Sequence, residues 1–284
     1  MSYLVVKIGG AVALDARITA ALITELARRP EEAVLVHGGG KAVNEMSRRL
    51  GIEPHFVDGI RITGGAEMEV VDMVLAGRVN TELVRLAGRH GVSAIGITGA
   101  DGGLLRGRRI VPPGTTTGIE AAAATSRTAV PHRVELDALK AVQDAGFLPI
   151  VASVGIAAED GEAVNINADD AAQAITEALS EAGAATTLCF LSDIPGVLDE
   201  SGETFATIEV GSIEPLITAG VARDGMAAKL WACRSALAAG VGRIAIGNYG
   251  DAGDLEALLS GRRGTSIVAV AGRIAKDEAD GSSD

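Results

Sequence analysis

A lysine followed by two glycines opens the chain and could bind an anion. Residues 4–10 read Leu-Val-Val-Lys-Ile-Gly-Gly, an apolar, β-branched run that predicts a strand carrying Lys7 to a glycine turn before an amphipathic helix. Glycines let backbone N–H groups approach an anion closely, and the helix N-terminus adds its positive dipole end. The pattern favours phosphate as the ligand. A plain strand-to-helix turn with a solvated lysine is equally compatible with this motif alone.

The same pattern recurs about thirty residues later. Residues 33–37 predict a buried strand, residues 38–40 are three glycines, and residues 41–50 predict an amphipathic helix. A P-loop is excluded, because Leu35 stands at the first P-loop glycine position and Ala42 stands where Ser or Thr would hold magnesium. Three consecutive glycines favour close approach of the backbone to a ligand over a plain loop.

Arg61 is the candidate for gripping an acidic substrate. It lies between two isoleucines in residues 56–63, a stretch that predicts a strand or ribbon with a turn. An arginine on an alternating strand commonly faces solvent, and that alternative stays open. A guanidinium also matches a carboxylate through two parallel hydrogen bonds.

A polar segment precedes the helix that is predicted to run to Leu179. Residues 163–172 combine a short alternating strand with an acidic first helical turn. Asn167 or Asp169 could simply cap the helix, which is worth about 1 kcal/mol. Two asparagines and two aspartates within residues 165–170 are more than capping requires.

Strands alternate with helices along the whole chain, which predicts an α/β fold: a mainly parallel sheet between two helical layers. The glycine turns then gather at the carboxyl edge of the strands, where ligands bind in such sheets. We expect a soft boundary near residue 180, a flexible excursion over 112–128, an edge strand at 264–270 and a disordered tail at 276–284.

Composition excludes several functional classes. The 284 residues carry 25 basic and 37 acidic side chains, and this net charge of −12 disfavours nonspecific binding to nucleic acid or to an anionic membrane. No apolar run reaches the roughly 18 to 20 residues of a membrane span and no signal segment opens the chain, so we expect a cytoplasmic protein. Cys189 and Cys233 predict reduced, packed thiols. The histidines are too scattered for a metal centre, and His37 is the least certain to be structural because it adjoins glycines.

Taken together and in order, seven stretches resemble the amino acid kinase family. The likeness spans Leu4 to about Val270. The stretches are Lys7-Ile8-Gly9-Gly10, His37-Gly38-Gly39-Gly40, residues 56–63, residues 164–169, Leu191-Ser192-Asp193, Gly225-Met226 with Lys229, and Gly264-Thr265.

The likeness is greatest to the members that phosphorylate the side-chain carboxylate of N-acetyl-L-glutamate with ATP, in arginine biosynthesis. It implies the αβα sandwich of this family, in which residues 1–180 bind the acidic substrate and dimerise and residues 181–275 bind ATP. It also implies Mg²⁺ held mainly through the ATP phosphates. Such a reaction needs no protein base, because the acceptor carboxylate is already ionised at neutral pH.

The resemblance also implies a role for each matching residue. Lys7 and Lys229 flank the transferring phosphoryl group, and Asp169 lies between them and orients both. The implied substrate-binding residues are Gly38, Gly39, Gly40, Arg61, Asn165 and Asn167. The implied nucleotide-binding residues are Gly9, Gly10, Ser192, Asp193, Gly196, Val197, Leu198, Gly225 and Met226.

Family members inhibited by arginine carry an additional helix before the first strand and form hexamers. Here Lys7 comes almost at the start, and residues 248–253 also differ from the arginine-sensitive pattern. We therefore expect a homodimer without arginine feedback.

Two other interpretations remain open. The first is an enzyme of the same fold acting on another acid, such as a carrier-protein-linked aminoadipate or glutamate kinase, or less readily a carbamate, aspartate or uridylate kinase. Carrier-linked substrates favour a basic docking surface, of which a chain of net charge −12 gives little sign. The second is a catalytically silent nucleotide-binding regulator, which the presence of both lysines and Asp169 disfavours.

Overall fold

The computed structural model describes residues 1–9, 15–29, 31–57, 60–110 and 125–269. Gly10, most of the expected 112–128 excursion and the expected tail at 276–284 lie outside these residues.

The strands within the described residues are short and alternate with helices. In chain order they are β1 (Ser2–Ile8), β2 (Glu32–His37), β3 (Phe56–Val57), β4 (Ile60–Arg61), β5 (Ala94–Thr98), β6 (Leu105–Arg109), β7 (Thr128–Val134), β8 (Leu148–Ala152), β9 (Val154–Ala157), β10 (Ala163–Ile166), β11 (Ala185–Leu191), β12 (Thr207–Glu209), β13 (Arg243–Gly247) and β14 (Thr265–Val268).

The described residues form nine α-helices. They are α1 (Ala16–Leu26), α2 (Gly40–Arg49), α3 (Gly65–Asp72), α4 (Asn80–Arg89), α5 (Asp137–Asp144), α6 (Ala168–Glu181), α7 (Ile213–Thr218), α8 (Asp224–Ala238) and α9 (Asp254–Leu259). A π-helical segment, Met73–Val79, joins α3 to α4 and contains Gly77.

The main sheet has the strand order β12-β14-β13-β11-β1-β2-β8-β5, and its pairs are parallel except for β13 with β14. The predicted mainly parallel α/β sheet is therefore confirmed. The expected edge strand at 264–270 is wrong, because β14 lies inside the sheet and the three-residue strand β12 covers it. The expected boundary near residue 180 falls at the end of α6, and β1 pairs with β11 across it.

Side chains along β1 alternate between the two faces of the sheet, and this alternation sets the direction of Lys7. Leu4 and Val6 pack into the core on one sheet face, with α1 and α4, whereas Tyr3 and Val5 pack on the opposite face, with α6 and α8. Lys7 is two residues beyond Val5 and therefore shares its face. The strand thus directs the lysine toward α6 and α8.

A small closed barrel, β10-β7-β6-β9, stands at the carboxyl end of β8. The sequence predicts one strand over residues 147–155, but the structure breaks it at Ser153 and sends β9 into the barrel. The Ser153 N–H donates to the His37 carbonyl oxygen (3.3 Å), so the break lies beside the end of β2. The barrel returns the chain through β10 to the start of α6.

Two kinds of feature are not found in the described residues. They contain no helix long and apolar enough to cross a bilayer. They also contain no group of three or more His, Cys, Asp or Glu side chains that could hold a metal ion. Cys189 and Cys233 are buried free thiols, and burial raises the pKa of each to about 12, which confirms the predicted packed cysteines.

The barrel has no room for a side chain at Gly155. A Cβ there would lie 2.5 Å from the Leu105 carbonyl oxygen and 2.9 Å from the Ile166 Cδ1 atom. We expect Gly155→Ala to lower the free energy of unfolding by about 1–3 kcal/mol, because overpacking forces the neighbours to shift. Chemical denaturation measures this change.

Gly88→Ala is the matched control, because a Cβ at this exposed helical position meets no atom within 4 Å. The control should raise the free energy of unfolding by about 0.5–1 kcal/mol. A Gly155→Ala protein as stable as the wild type would show that the barrel yields without cost.

Candidate active site

One carboxylate joins two lysines at the carboxyl edge of the central strands. Asp169 Oδ1 lies 2.8 Å from Lys7 Nζ, and Asp169 Oδ2 lies 2.5 Å from Lys229 Nζ. Lys7 comes from β1, Asp169 from the first turn of α6 and Lys229 from the second turn of α8. The structure thus brings together the three residues that the sequence predicts to be catalytic.

Burial and charge compete at this cluster. Burial raises the pKa of Asp169, but the two ammonium groups outweigh it and hold that pKa below its usual range. Burial and the neighbouring charge of Lys7 lower the pKa of Lys229, against the attraction of Asp169. Two ammonium groups share one carboxylate, so the cluster retains an excess positive charge suited to a phosphoryl group.

Each of the two ammonium groups has a further close neighbour. Lys229 Nζ lies 4.4 Å from the centroid of the Phe190 ring, and Phe190 is the register partner of Lys7 on the adjacent strand. A Cβ on Gly9 would lie 2.7 Å from Lys7 Nζ. A side chain at the glycine after β1 would therefore require the lysine head group to shift.

A cavity of about 430 Å³ opens beside Lys7 and Gly9 and is lined by the three glycines 38–40. Gly39 precedes the first residue of α2 and has no side chain that could occupy the N–H groups of the first turn. These N–H groups and the positive end of the helix dipole therefore suit an anion. Leu75 belongs to the apolar part of the cavity lining, and a Cβ on Gly39 would lie 2.7 Å from its Cδ2 atom.

Arg61 lines the cavity but already has protein partners. Its side chain is only 9% exposed, which excludes the solvated alternative. Arg61 Nη1 donates to Glu67 Oε1 (2.7 Å), and Nη2 donates to the Gly40 carbonyl oxygen (3.3 Å) and to Asn44 Oδ1. The Phe56 ring stacks on the guanidinium, 4.7 Å from its Cζ atom.

Both asparagines of the polar segment reach the cavity wall. Asn167 Oδ1 accepts a hydrogen bond from the Asp169 N–H (2.8 Å), so Asn167 caps α6 as the simple interpretation predicts. Asn165 Nδ2 donates to Thr63 Oγ1 (3.0 Å). Capping places the Asp169 carboxylate in the first turn, where both lysines reach it.

Among the described residues predicted to bind the nucleotide, Gly9 lines this cavity and the others do not. Ser192 directly follows Leu191, the register partner of Ile8, and so lies beside the end of β1. Gly225 is one helical turn before Lys229. Val197 is buried, and its N–H is already used in a hydrogen bond to Thr265 Oγ1 (2.9 Å). The remaining members of the set are Asp193, Gly196, Leu198 and Met226.

Sequence reasoning gave no role to two acidic residues, of which one contacts Arg61 and the other lines the cavity. Glu67 is buried against Arg61, and its position four residues before the buried Val71 is a signal that it lies on the apolar face of α3. Asp170 lines the cavity. Burial, followed by the charge of Asp169, raises the pKa of Asp170 to about 6.

His37 is a fully buried support of the glycine turn. Its Nε2 lies 3.0 Å from the Asn80 amide nitrogen, and its Nδ1 lies 2.9 Å from the Gly38 carbonyl oxygen. We assign the proton to Nδ1, because the amide can only donate and the carbonyl can only accept. Burial lowers the pKa of His37 to about 4, so the ring is neutral at physiological pH and holds the first glycine in place.

The neutral state of His37 makes stability depend on pH. The pKa is about 4 in the folded chain against an ordinary 6.5, so its contribution is fully present above pH 6.5 and is lost as the pH falls toward 4. This group should remove up to about 3 kcal/mol from the free energy of unfolding over that range. Urea denaturation at a series of pH values measures the slope.

His37→Gln should lose this part of the slope. Asp170 titrates in the same range with the opposite effect on stability, but it is present in both proteins and cancels in the difference. Equal slopes for wild type and variant would mean that the buried ring does not resist protonation.

The chain matches known proteins over most of its length. The sequence model of the amino acid kinase family matches residues 2–248. The acetylglutamate kinase of Acidiphilium cryptum is 40% identical over 243 residues, covering 83% of this chain and 79% of that protein. The acetylglutamate kinase of Methanopyrus kandleri is 38% identical over 263 residues, covering 91% of this chain and 97% of that protein.

Solved structures share the fold. N-acetylglutamate synthase from Neisseria gonorrhoeae, complexed with coenzyme A and N-acetyl-glutamate, superposes with a TM-score of 0.76 at 23% identity, over 93% of this chain and 59% of that chain. Carbamate kinase from Giardia lamblia, bound to AMP-PNP, gives a TM-score of 0.64 at 16% identity, over 94% and 98%. At these identities the likeness concerns the fold alone.

Proposed function

Since this chain belongs to the amino acid kinase family, we propose that it transfers the γ-phosphoryl group of ATP to the side-chain carboxylate of N-acetyl-L-glutamate, a step of arginine biosynthesis. The similar proteins are named acetylglutamate kinase, and this name supports N-acetyl-L-glutamate as the acceptor. The observation that carries the proposal is the Lys7–Asp169–Lys229 cluster beside a glycine-lined cavity.

The reaction needs positioning and charge more than proton transfer. A carboxylate oxygen of the acceptor forms a bond to the γ-phosphorus while the bond from that phosphorus to the β,γ-bridging oxygen breaks, which gives an acyl phosphate and ADP. The acceptor is ionised at neutral pH, so no general base is required. This agrees with a site whose nearest histidine, His37, is buried and neutral.

The two lysines stabilise the charge that spreads over the transferring group. Lys7 and Lys229 lie on either side of one carboxylate, and this arrangement keeps the two ammonium groups close together despite their repulsion. Asp169 therefore acts as a positioning residue that holds both donors before the substrates arrive. The first-turn N–H groups of α2 add fixed positive dipoles on the acceptor side.

Mg²⁺, carried mainly by the ATP phosphates, supplies further neutralisation of the phosphate charge when it is bound. The protein's own part is to provide cations and backbone donors around the phosphates.

We assign the acceptor side to Arg61, Asn165, Asn167 and the glycines 38–40, all of which line the cavity. We assign the nucleotide side to Gly9, Gly10, Ser192, Asp193, Gly196, Val197, Leu198, Gly225 and Met226. The position of Ser192 beside β1 and of Gly225 one turn before Lys229 supports this division.

We also propose a homodimer in the cytoplasm. Leu50 and Met73 are 55% and 56% exposed on neighbouring helical segments of residues 1–180, and such apolar side chains are suited to a subunit contact. Light scattering of the purified protein tests the oligomeric state.

A coupled ADP-release assay with different acceptors tests the function directly. N-acetyl-L-glutamate should support turnover, and hydroxylamine should trap the acyl phosphate that forms. Glutamate and aminoadipate are the comparison acceptors. Preference for either of them, or ADP release that no acceptor stimulates, would contradict the proposal.

Loss of either lysine should reduce the chemical step more than binding. We expect Lys7→Ala and Lys229→Ala each to lower kcat by about 10²–10³-fold, with a smaller change in the KM for the acceptor, because each removes a donor to the developing charge. Steady-state kinetics with N-acetyl-L-glutamate measures both constants.

Lys140→Ala is the matched control, since it removes the same charge from α5, outside the cavity. Its kinetic constants should stay within about twofold of the wild type. Near-normal kcat in both site variants would show that the lysine cluster is structural.

A further inference from the structure

We propose that Glu67 sets the affinity and charge preference of the acceptor pocket by partly neutralising Arg61. The inference rests on the proposed function, because it concerns the α-carboxylate of the acceptor, the second negative charge that an N-acylated glutamate carries.

Arg61 lines the cavity, and the buried Glu67 is its ion-pair partner. Arg61 Nη1 and Glu67 Oε1 are 2.7 Å apart, and the two side chains are 9% and 6% exposed. Glu67 lies in the first turn of α3 among the buried residues Met68, Val70 and Val71. A carboxylate in this position is not a solvated surface charge, and its interaction with Arg61 is weakly screened by water.

The Arg61 guanidinium already donates three hydrogen bonds to protein atoms. Of its five N–H bonds, one from Nη1 goes to Glu67 and two from Nη2 go to the Gly40 carbonyl and to Asn44. A two-bond grip on a carboxylate uses either the Nη1 and Nη2 edge or the Nε and Nη2 edge. Both edges need Nη2, so an acceptor carboxylate must displace a protein contact or accept fewer bonds.

The negative charge of Glu67 disfavours the binding of a second carboxylate at Arg61. An α-carboxylate bound to Arg61 would share a single cation with Glu67, and the two anions would repel each other in a partly buried site. At a separation of about 5 Å and an effective dielectric constant of about 20, this repulsion is large enough to change affinity by tenfold or more. Glu67 therefore weakens the binding of a dianionic acceptor while it holds Arg61 in a defined orientation.

An acceptor without charge at its α-position escapes this repulsion. The α-amide of N-acetyl-L-glutamate keeps the reacting side-chain carboxylate and has nearly the same shape. Comparing the two compounds isolates the electrostatic effect of Glu67 from any general effect on the pocket.

Glu67→Gln tests the proposal, because the amide oxygen can still accept the Arg61 hydrogen bond while the negative charge is removed. We expect the KM for N-acetyl-L-glutamate to fall about tenfold with kcat within twofold, and the KM for the α-amide to stay within twofold. Glu69→Gln is the control, since it removes the same charge from an exposed position two residues away and should change neither KM.

An unchanged or higher KM for N-acetyl-L-glutamate, or an equal fall for both acceptors, would overturn the proposal. Calorimetric Kd values for N-acetyl-L-glutamate, measured without ATP, separate this result from the proposed function. A wild type that shows no turnover but binds about tenfold more weakly than Glu67→Gln would reject the kinase assignment and retain the role of Glu67. Equal binding, or binding by neither protein, would reject the role of Glu67.

Discussion

The site depends on one buried carboxylate that is shared by two ammonium groups. A buried charge is tolerated only when it is paired, so Asp169, Lys7 and Lys229 each require the others. Because they come from β1, α6 and α8, the cluster also constrains how two helices sit on the sheet. A shift of either helix would leave a charge without its partner, which ties the packing of the fold to the geometry of the site.

The surrounding elements follow from simple rules of chain geometry. Parallel strands bring the ends of β1, β2 and β11 to one edge, and alternation directs Lys7 toward α6. At that edge the chain uses residues without side chains where side chains would obstruct. Gly9 leaves room for the Lys7 head group, and Gly39 lets the α2 N-terminus pack against Leu75. The glycines are thus required by close contacts.

Local patterns in the sequence predicted the alternating fold, since period-two and helical periodicities are visible in short windows. The three residues of the cluster were predicted from the resemblance to the amino acid kinase family, because no local pattern links Lys7, Asp169 and Lys229. Local patterns did not predict the barrel, because residues 147–155 are apolar except for Ser153 and the break at that residue is imposed by distant pairing. They misplaced β14 for a similar reason: only the nonlocal strand β12 removes it from the edge. Pairing between Arg61 and Glu67 also depends on tertiary structure, although Glu67 occupies an apolar helical position.

The excess positive charge of the lysine cluster affects the stability of the folded protein. Lys229 is only 9% exposed on its side chain, and it shares its counter-ion with Lys7. The arrangement that prepares the site for phosphate therefore leaves one of two close ammonium groups without a carboxylate of its own in the ligand-free fold. Variants with higher thermal stability would have to gain it at other positions, because replacing a lysine of this cluster would reduce catalysis.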